Sequence, residues 1–115
     1  MKGKWGEEVA SQHLLAKGYD IIRRNFRSSY GEIDIIAFEK STKTLIFVEV
    51  RLRKKGSLVT PLESIDWKKQ ERLKKTAEIF LTKFNLDYDF IRFDVIGITY
   101  RGRESFDIEH IKDAF

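Results

Sequence analysis

The 115-residue sequence predicts a mixed α/β (α+β) fold, a β-sheet flanked by helices in the order α-β-β-β-α-β-β. Three observations lead there. Two segments carry apolar residues at helical spacing, five shorter segments carry alternating or continuous apolar runs, and no repeat, low-complexity tract or Pro/Gly-rich linker divides the chain. One domain over residues 1–115 is therefore expected, because a chain of this length holds one real core but not two.

Residues 4–17 read as the first helix, with Gly18 as its C-terminal stop. The stretch YDIIRRNFR follows as a strand, and residues 31–53, GEIDIIAFEKSTKTLIFVEVRLR, as a hairpin around Ser41-Thr42. Pro61 marks the loop GSLVTPLES. Beyond it a second helix runs from Ser64 or Asp66 to Phe84, with Leu73, Ala77, Phe80, Leu81 and Phe84 on its buried stripe. FIRFDVIGITY and ESFDIEHI supply the last two strands.

The hairpin holds acids inside apolar runs. Alternation puts Glu32, Asp34 and Ile36 on one face of its first strand and Ile33, Ile35 and Ala37 on the other. On the second strand Phe47, Glu49, Arg51 and Arg53 oppose Ile46, Val48, Val50 and Leu52. A turn centred on Ser41-Thr42 pairs Asp34 with Glu49 and Glu32 with Arg51. Like charges directly across a sheet destabilise it, so a positive group is expected between the two carboxylates.

In the first helix, Gly3, Glu7, Ala10 and Leu14 form the sheet-facing stripe, which adds a third inward acid. Buried charge costs several kcal/mol unless it is paired or coordinated. Glu7, Asp34 and Glu49 thus point to a shared cation, and an all-oxygen donor set suits Mg²⁺ or Mn²⁺ rather than zinc. An ion-pair network with Arg51, Arg53 or Arg92 explains the same spacing.

Whole-chain properties narrow the function classes. There is no cysteine, which excludes disulfides and thiolate metal sites and fits a reducing compartment. Nothing resembles a signal peptide or the roughly 20 apolar residues of a membrane span, so a soluble cytoplasmic protein is expected. The net charge of +4 and the isoelectric point near 9.3 favour a polyanionic partner.

The pieces GxxGE, RNFR, GEIDII, FVEVR, KKQERL, RFDV and HIKDAF resemble, over nearly the whole chain, the YraN-like family of small uncharacterised bacterial proteins. That family is grouped with Holliday-junction-resolvase-like members of the PD-(D/E)XK nuclease superfamily. The resemblance implies a restriction-endonuclease-like fold in which Asp34 and Glu49 match the two motif acids and Glu7 matches a first-helix glutamate. It also implies Mg²⁺ or Mn²⁺ as cofactor and nucleic acid, DNA in particular, as partner; a homodimer is left open.

One position departs from the superfamily pattern, which has lysine two residues after the second acid where this chain has Arg51. Guanidinium stays protonated and cannot act as a base, though it can stabilise charge on phosphate oxygens. Lys69 is the substitute candidate. It lies four residues before Leu73 on the sheet-facing side of the second helix, whereas Lys68 points away. Lysines so placed also commonly cover apolar surface.

Arg24, Arg27, Arg53, Lys54 and Lys55, with Arg23, form a candidate phosphate-tracking patch, and Tyr30 and Trp5 are candidate base-stacking residues. His13 and His110 lack a spaced partner and read as structural. Asp94 reads as a further ligand or an arginine partner and is kept outside the site. Two functions follow: a metal-dependent nuclease acting on branched or structured DNA through Glu7, Asp34, Glu49, Arg51 and Lys69, or a nucleic-acid-binding module that keeps the fold without hydrolysis.

Overall fold

In the computed structural model the two helical stripes pack on opposite faces of one five-stranded sheet. The structure describes residues 2–102 and 104–115, with side chains from residue 4 onward except residue 103. The helices are α1 (Lys2–Ala16) and α2 (Trp67–Lys83), and the strands are β1 (Asp20–Arg27), β2 (Glu32–Glu39), β3 (Thr44–Lys54), β4 (Phe90–Gly102) and β5 (Ser105–Ile111). The order is the expected one. Gly3, first residue of the expected stripe, lies outside the described side chains, while Glu7, Ala10 and Leu14 are buried as the spacing requires. Gly18 ends α1 at φ 90°, a conformation a side chain would disfavour, and Tyr19 N–H then donates back to the Leu14 carbonyl at 3.1 Å. At α2 the Asp66 carboxylate accepts from Lys69 N–H at 2.8 Å, an N-cap contributing ~1 kcal/mol. No helix among the described residues is long and apolar enough to cross a membrane.

The strands lie in sequence order, antiparallel except for β3 and β4. Those two run parallel from Thr44↔Phe90 to Lys54↔Tyr100, which is possible because α2 carries the chain back across the sheet. Both faces of the central strands are covered, hence their nearly continuous apolar runs. Ala10 and Leu14 of α1 pack with Ile35, Ala37, Ile46, Val48, Val50, Ile96 and Ile98 on one face. Leu73, Ala77 and Phe80 of α2 pack with Phe26, Ile33, Ile36, Leu45, Phe47 and Val95 on the other. Each fully buried aliphatic side chain contributes roughly 1.5–3 kcal/mol.

The β2–β3 register agrees with a turn centred on Ser41-Thr42, running from Glu39↔Thr44 to Ile35↔Val48. It then stops. One further step would place Asp34 opposite Glu49, but the ladder has ended, and β2 continues paired only to β1 through Phe26↔Ile33 and Arg27↔Glu32. β3 meanwhile follows β4, so the sheet opens like a fork. Ile33, expected on the face of Ile35, joins the α2-side core instead, because a strand released from one neighbour is free to rotate.

Away from the fork, Asp94 is a fully buried carboxylate with a complete set of partners. Arg92 donates from both Nε and an η-nitrogen at 2.9 and 3.1 Å, His110 Nε2 lies 2.7 Å away, and Asp113 N–H donates at 3.0 Å. It is an arginine partner, and His110 is structural in the same network. Burial works to raise the Asp94 pKa, but the His110 and Arg92 hydrogen bonds outweigh it and hold the carboxyl below its ordinary range. A depressed carboxyl stabilises the fold above the unfolded pKa, and that contribution is lost as pH falls through the folded one. Asp94→Ala should therefore cost roughly 3–5 kcal/mol near neutral pH by leaving Arg92 without its counter-charge. Urea unfolding across pH checks this: the difference from wild type should close only below the ordinary value of 3.8.

Gly97 of β4 lies beside Arg51 in the ladder, and Pro61 of the long loop sits where its side chain would be. A Cβ at residue 97 would overlap the proline ring, which cannot swing aside. Gly97→Ala should cost roughly 1–3 kcal/mol by overpacking. The same variant should open the 57–66 segment to limited proteolysis while the rest of the chain stays protected.

Candidate functional site

The fork is where the acids gather. With its neighbour strand gone, Val50 N–H is met by the Asp34 carboxylate, whose Oδ2 accepts at 2.8 Å. Asp34 is 6% exposed and thereby replaces the missing ladder bond with a side chain. Glu7, 5% exposed, reaches toward the same place from α1. Burial pushes its pKa up first, the nearby Asp34 charge adds to that, and a hydrogen bond from the Asn25 amide offsets it in part. Asn25 holds φ 56°, a left-handed conformation that asparagine tolerates better than branched residues.

Glu49 is 2% exposed and projects from β3 toward α2. Two cations meet its Oε2: Lys69 Nζ at 3.6 Å and Arg51 Nε at 3.7 Å. Both are ion-pair distances, too long for hydrogen bonds. Lys69 is half-buried and Lys68 exposed, as the helical spacing requires. Arg51 does not reach Glu32, which pairs with Arg27 at 3.2 Å. Its guanidinium donates instead to the Ser64 carbonyl at 2.9 Å, so it ties the strand to the segment before α2. A cleft of about 120 Å³ lies here, walled by Arg51, Leu52, Arg53, Ser57, Val59, Thr60, Pro61 and Ser64.

The structure thus brings Asp34 to the β3 backbone, couples Glu7 to Asp34, and joins Glu49 with Arg51 and Lys69. The cations Arg51 and Lys69, supplied by β3 and α2, meet Glu49 alone; the expected Asp34–Glu49 pair with a positive group between them does not form, because the β2–β3 ladder ends one step earlier. For a divalent cation the donor chemistry fits, because all three acids are buried oxygen donors and Glu7 is already penalised for carrying charge. Their positions are looser. Glu7 comes from the α1 layer and Glu49 faces the α2 layer, and among the described residues no three His, Cys, Asp or Glu side chains converge into a ready cage.

The basic residues divide into committed and open ones. Arg24 pairs with Glu8 at 3.0 Å and Arg27 with Glu32. Arg53 donates to Thr99 Oγ1 at 2.8 Å and to the Val59 carbonyl at 3.0 Å, which makes it a clamp on the loop. Lys54 and Lys55 are exposed. Tyr30 is exposed with Lys75 Nζ 5.1 Å from its ring centre. Trp5 instead packs edge-on against Tyr100 and Phe106. Sequence reasoning missed Asn25 and the Ser64 carbonyl. Only Asn25 carried a signal, as a residue type that tolerates left-handed backbone, since a backbone acceptor has none.

A family model described as uncharacterised protein family UPF0102 matches residues 6–98. Similar curated proteins span nearly the full chain. A UPF0102 protein of Caldicellulosiruptor bescii is 46% identical, covering 98% of this chain and 95% of its own length. One of Persephonella marina is 44% identical, covering 100% and 93%, and one of Natranaerobius thermophilus is 44% identical, covering 99% and 96%.

The raised Glu7 pKa has a sign that can be checked. An acid whose folded pKa lies above its unfolded one destabilises the fold once ionised, and the penalty is absent below the unfolded value of 4.5. Glu7→Gln keeps an acceptor for Asn25 and removes the charge. In metal-free buffer it should melt higher than wild type at neutral pH, with the gap closing as pH falls below 4.5. A lower melting temperature at pH 7 would mean that Glu7 is held by a counter-charge instead.

Proposed function

The chain belongs to the uncharacterised protein family UPF0102, and on that footing we propose that it is a metal-dependent nuclease hydrolysing phosphodiester bonds in branched or otherwise structured DNA. One contact carries the reading. Lys69 of α2 stands 3.6 Å from the Glu49 carboxylate, beside the position where Arg51 replaces the superfamily's lysine. A primary amine, unlike a guanidinium, is able to give up and take back a proton. The chain therefore keeps a primary amine next to its second acid, delivered by a helix rather than by the strand.

Glu7, Asp34 and Glu49 would hold Mg²⁺ or Mn²⁺, which when bound would polarise a phosphoryl oxygen and acidify the attacking water. The remaining roles belong to the chain. Asp34, anchored on Val50 N–H, is oriented before any substrate arrives. Arg51, anchored on the Ser64 carbonyl, offers fixed positive charge to a phosphate in its transition state. Lys69 orients the attacking water or moves its proton. Lys54 and Lys55 lie exposed at the end of the same strand and suit the phosphate backbone. The preference for branched DNA follows from the family resemblance, and a cytoplasmic location and a homodimer belong to the same reading.

A second reading has its own observation. The three acids do not converge in a ready cage among the described residues, which favours a nucleic-acid-binding module that kept the fold without hydrolysis. Cleavage of junction, flap, single-stranded and duplex DNA with Mg²⁺ or Mn²⁺ separates the two. For the nuclease, Asp34→Asn and Glu49→Gln should abolish cutting, and Arg51→Ala should lower it by roughly 10²–10³. Arg51→Lys should preserve or raise activity, and Lys69→Ala should reduce it comparably to Asp34→Asn with DNA binding intact. Wild type and Arg51→Lys both inert on every substrate, with DNA still bound, would leave the binding module.

A further inference from the structure

The cleft of about 120 Å³ between β3 and the loop before α2 is lined by two arginines and three hydroxyl residues, and no acid is among its walls. β3 supplies Arg51 and Arg53, and the loop supplies Ser57, Thr60 and Ser64. Arg51 joins the cleft to the acid cluster, since its Nε stands 3.7 Å from the Glu49 carboxylate. Pockets that enclose a drug-sized ligand run to ~300–1,000 Å³, so this one takes a single small group rather than a base with its sugar.

Neither arginine is exhausted by the contacts it makes. Arg51 donates to the Ser64 carbonyl at 2.9 Å, and Arg53 to Thr99 Oγ1 at 2.8 Å and to the Val59 carbonyl at 3.0 Å. A guanidinium carries more N–H donors than these bonds use. Thr60 Oγ1 accepts from Glu63 N–H at 3.1 Å, which leaves its own proton for another acceptor. Ser57 reaches only the Val59 carbonyl, at 3.5 Å, and Ser64 spends its proton on the Pro61 carbonyl at 2.6 Å. Two acids keep their charge close by: Glu49 beside Arg51, and Glu63, which accepts from Thr60 N–H at 2.9 Å. Selectivity here therefore comes from matched hydrogen bonding rather than from a bare positive field. Guanidinium donates and never accepts, so its complement is a group that only accepts. Phosphate is such a group, and arginine forks bind it bidentately.

We propose that this cleft binds a phosphate monoester, the ligand being the terminal phosphate of a nucleic-acid strand. The source of the ligand rests on the nucleic-acid reading above; the monoester chemistry rests on the cleft. A monoester brings three acceptor oxygens and a charge of about −2 near neutral pH. A phosphodiester brings fewer acceptors and continues in both directions, which suits so small a volume less well. Because Arg51 belongs to the cleft and to the acid cluster alike, a strand end seated here lies beside the residues assigned to hydrolysis.

The test uses the full chain in metal-free buffer at fixed ionic strength, so that binding is read without cutting. Inorganic phosphate, followed by calorimetry, should bind wild type, and chloride at matched ionic strength should not. A DNA strand with a terminal phosphate, scored by anisotropy, should bind roughly tenfold or more tighter than the same strand ending in a hydroxyl. Ser57→Asp places a carboxylate in the lining while keeping an acceptor for Val59 N–H. It should erase phosphate binding and the end preference without lowering the melting temperature, whereas Ser57→Asn, of the same shape without the charge, should keep both. Arg53→Ala should erase them as well. Equal binding of the two strand ends with no binding of inorganic phosphate would overturn the cleft and leave the nucleic-acid reading standing. Phosphate binding that Ser57→Asp does not weaken would overturn the cleft too. Phosphate binding lost in Ser57→Asp, with neither DNA strand bound, would uphold the monoester site and overturn the nucleic-acid reading. Failure of both phosphate and DNA to bind would overturn both.

Discussion

The hydrogen bond from Val50 N–H to the Asp34 carboxylate governs the architecture around it. A central strand cannot leave a buried N–H unmet without a cost comparable to a lost hydrogen bond. Where β2 withdraws from β3, a side chain must take over, and Asp34 is the residue that does so. The substitution has a second effect. It buries a carboxylate at the point where the sheet splits, and everything nearby has to accommodate that charge. Glu7 is pushed toward protonation by its burial and by Asp34, while Glu49, one residue before Val50, faces the other layer and is met by Arg51 and Lys69.

Two buried carboxylate clusters in one small chain show opposite solutions. Asp94 is surrounded by Arg92, His110 and the Asp113 N–H, and its ionised form is favoured within the fold. Glu7 is disfavoured as an anion by its burial first and by the Asp34 and Glu32 charges after that, with the Asn25 amide and the Arg24 charge offsetting this in part. The first arrangement ties β4 to β5 and the C-terminal turn and belongs to stability. The second retains electrostatic repulsion in the ground state. A fold keeps such a feature at the expense of stability.

The arginines of β3 join the site to the long loop. Arg51 and Arg53 alternate with Leu52, so both leave the α1-side core and reach the segment that follows Gly56. Each spends donors on a backbone carbonyl of that segment, and Gly97 makes room for the proline between them. A loop with little secondary structure of its own is in this way held as a wall. Arginine at position 51 therefore does more than carry a fixed charge: its planar fork serves the Glu49 carboxylate and the Ser64 carbonyl together, which an ammonium does less well.

Much of this was legible in the sequence, because period-2 and period-3.6 patterns report directly which residues face a core. The element order, the turn centred on Ser41-Thr42, the inward Glu7, the sheet-facing Lys69 and the family resemblance all came from local spacing or motif. Alternation failed at Ile33, where it assumes a strand with a neighbour on each side and the neighbour had gone. It also could not foresee Arg27 rather than Arg51 as the partner of Glu32, the hold of Arg51 on the Ser64 carbonyl, or the completeness of the Asp94 network. Those depend on where the β2–β3 ladder ends and on which residues distant in sequence meet across β4 and α2. Sequence by itself determined which side chains are buried and charged; the tertiary structure decided which charges touch, since ion pairing at 3–4 Å depends on chain paths that no local period encodes.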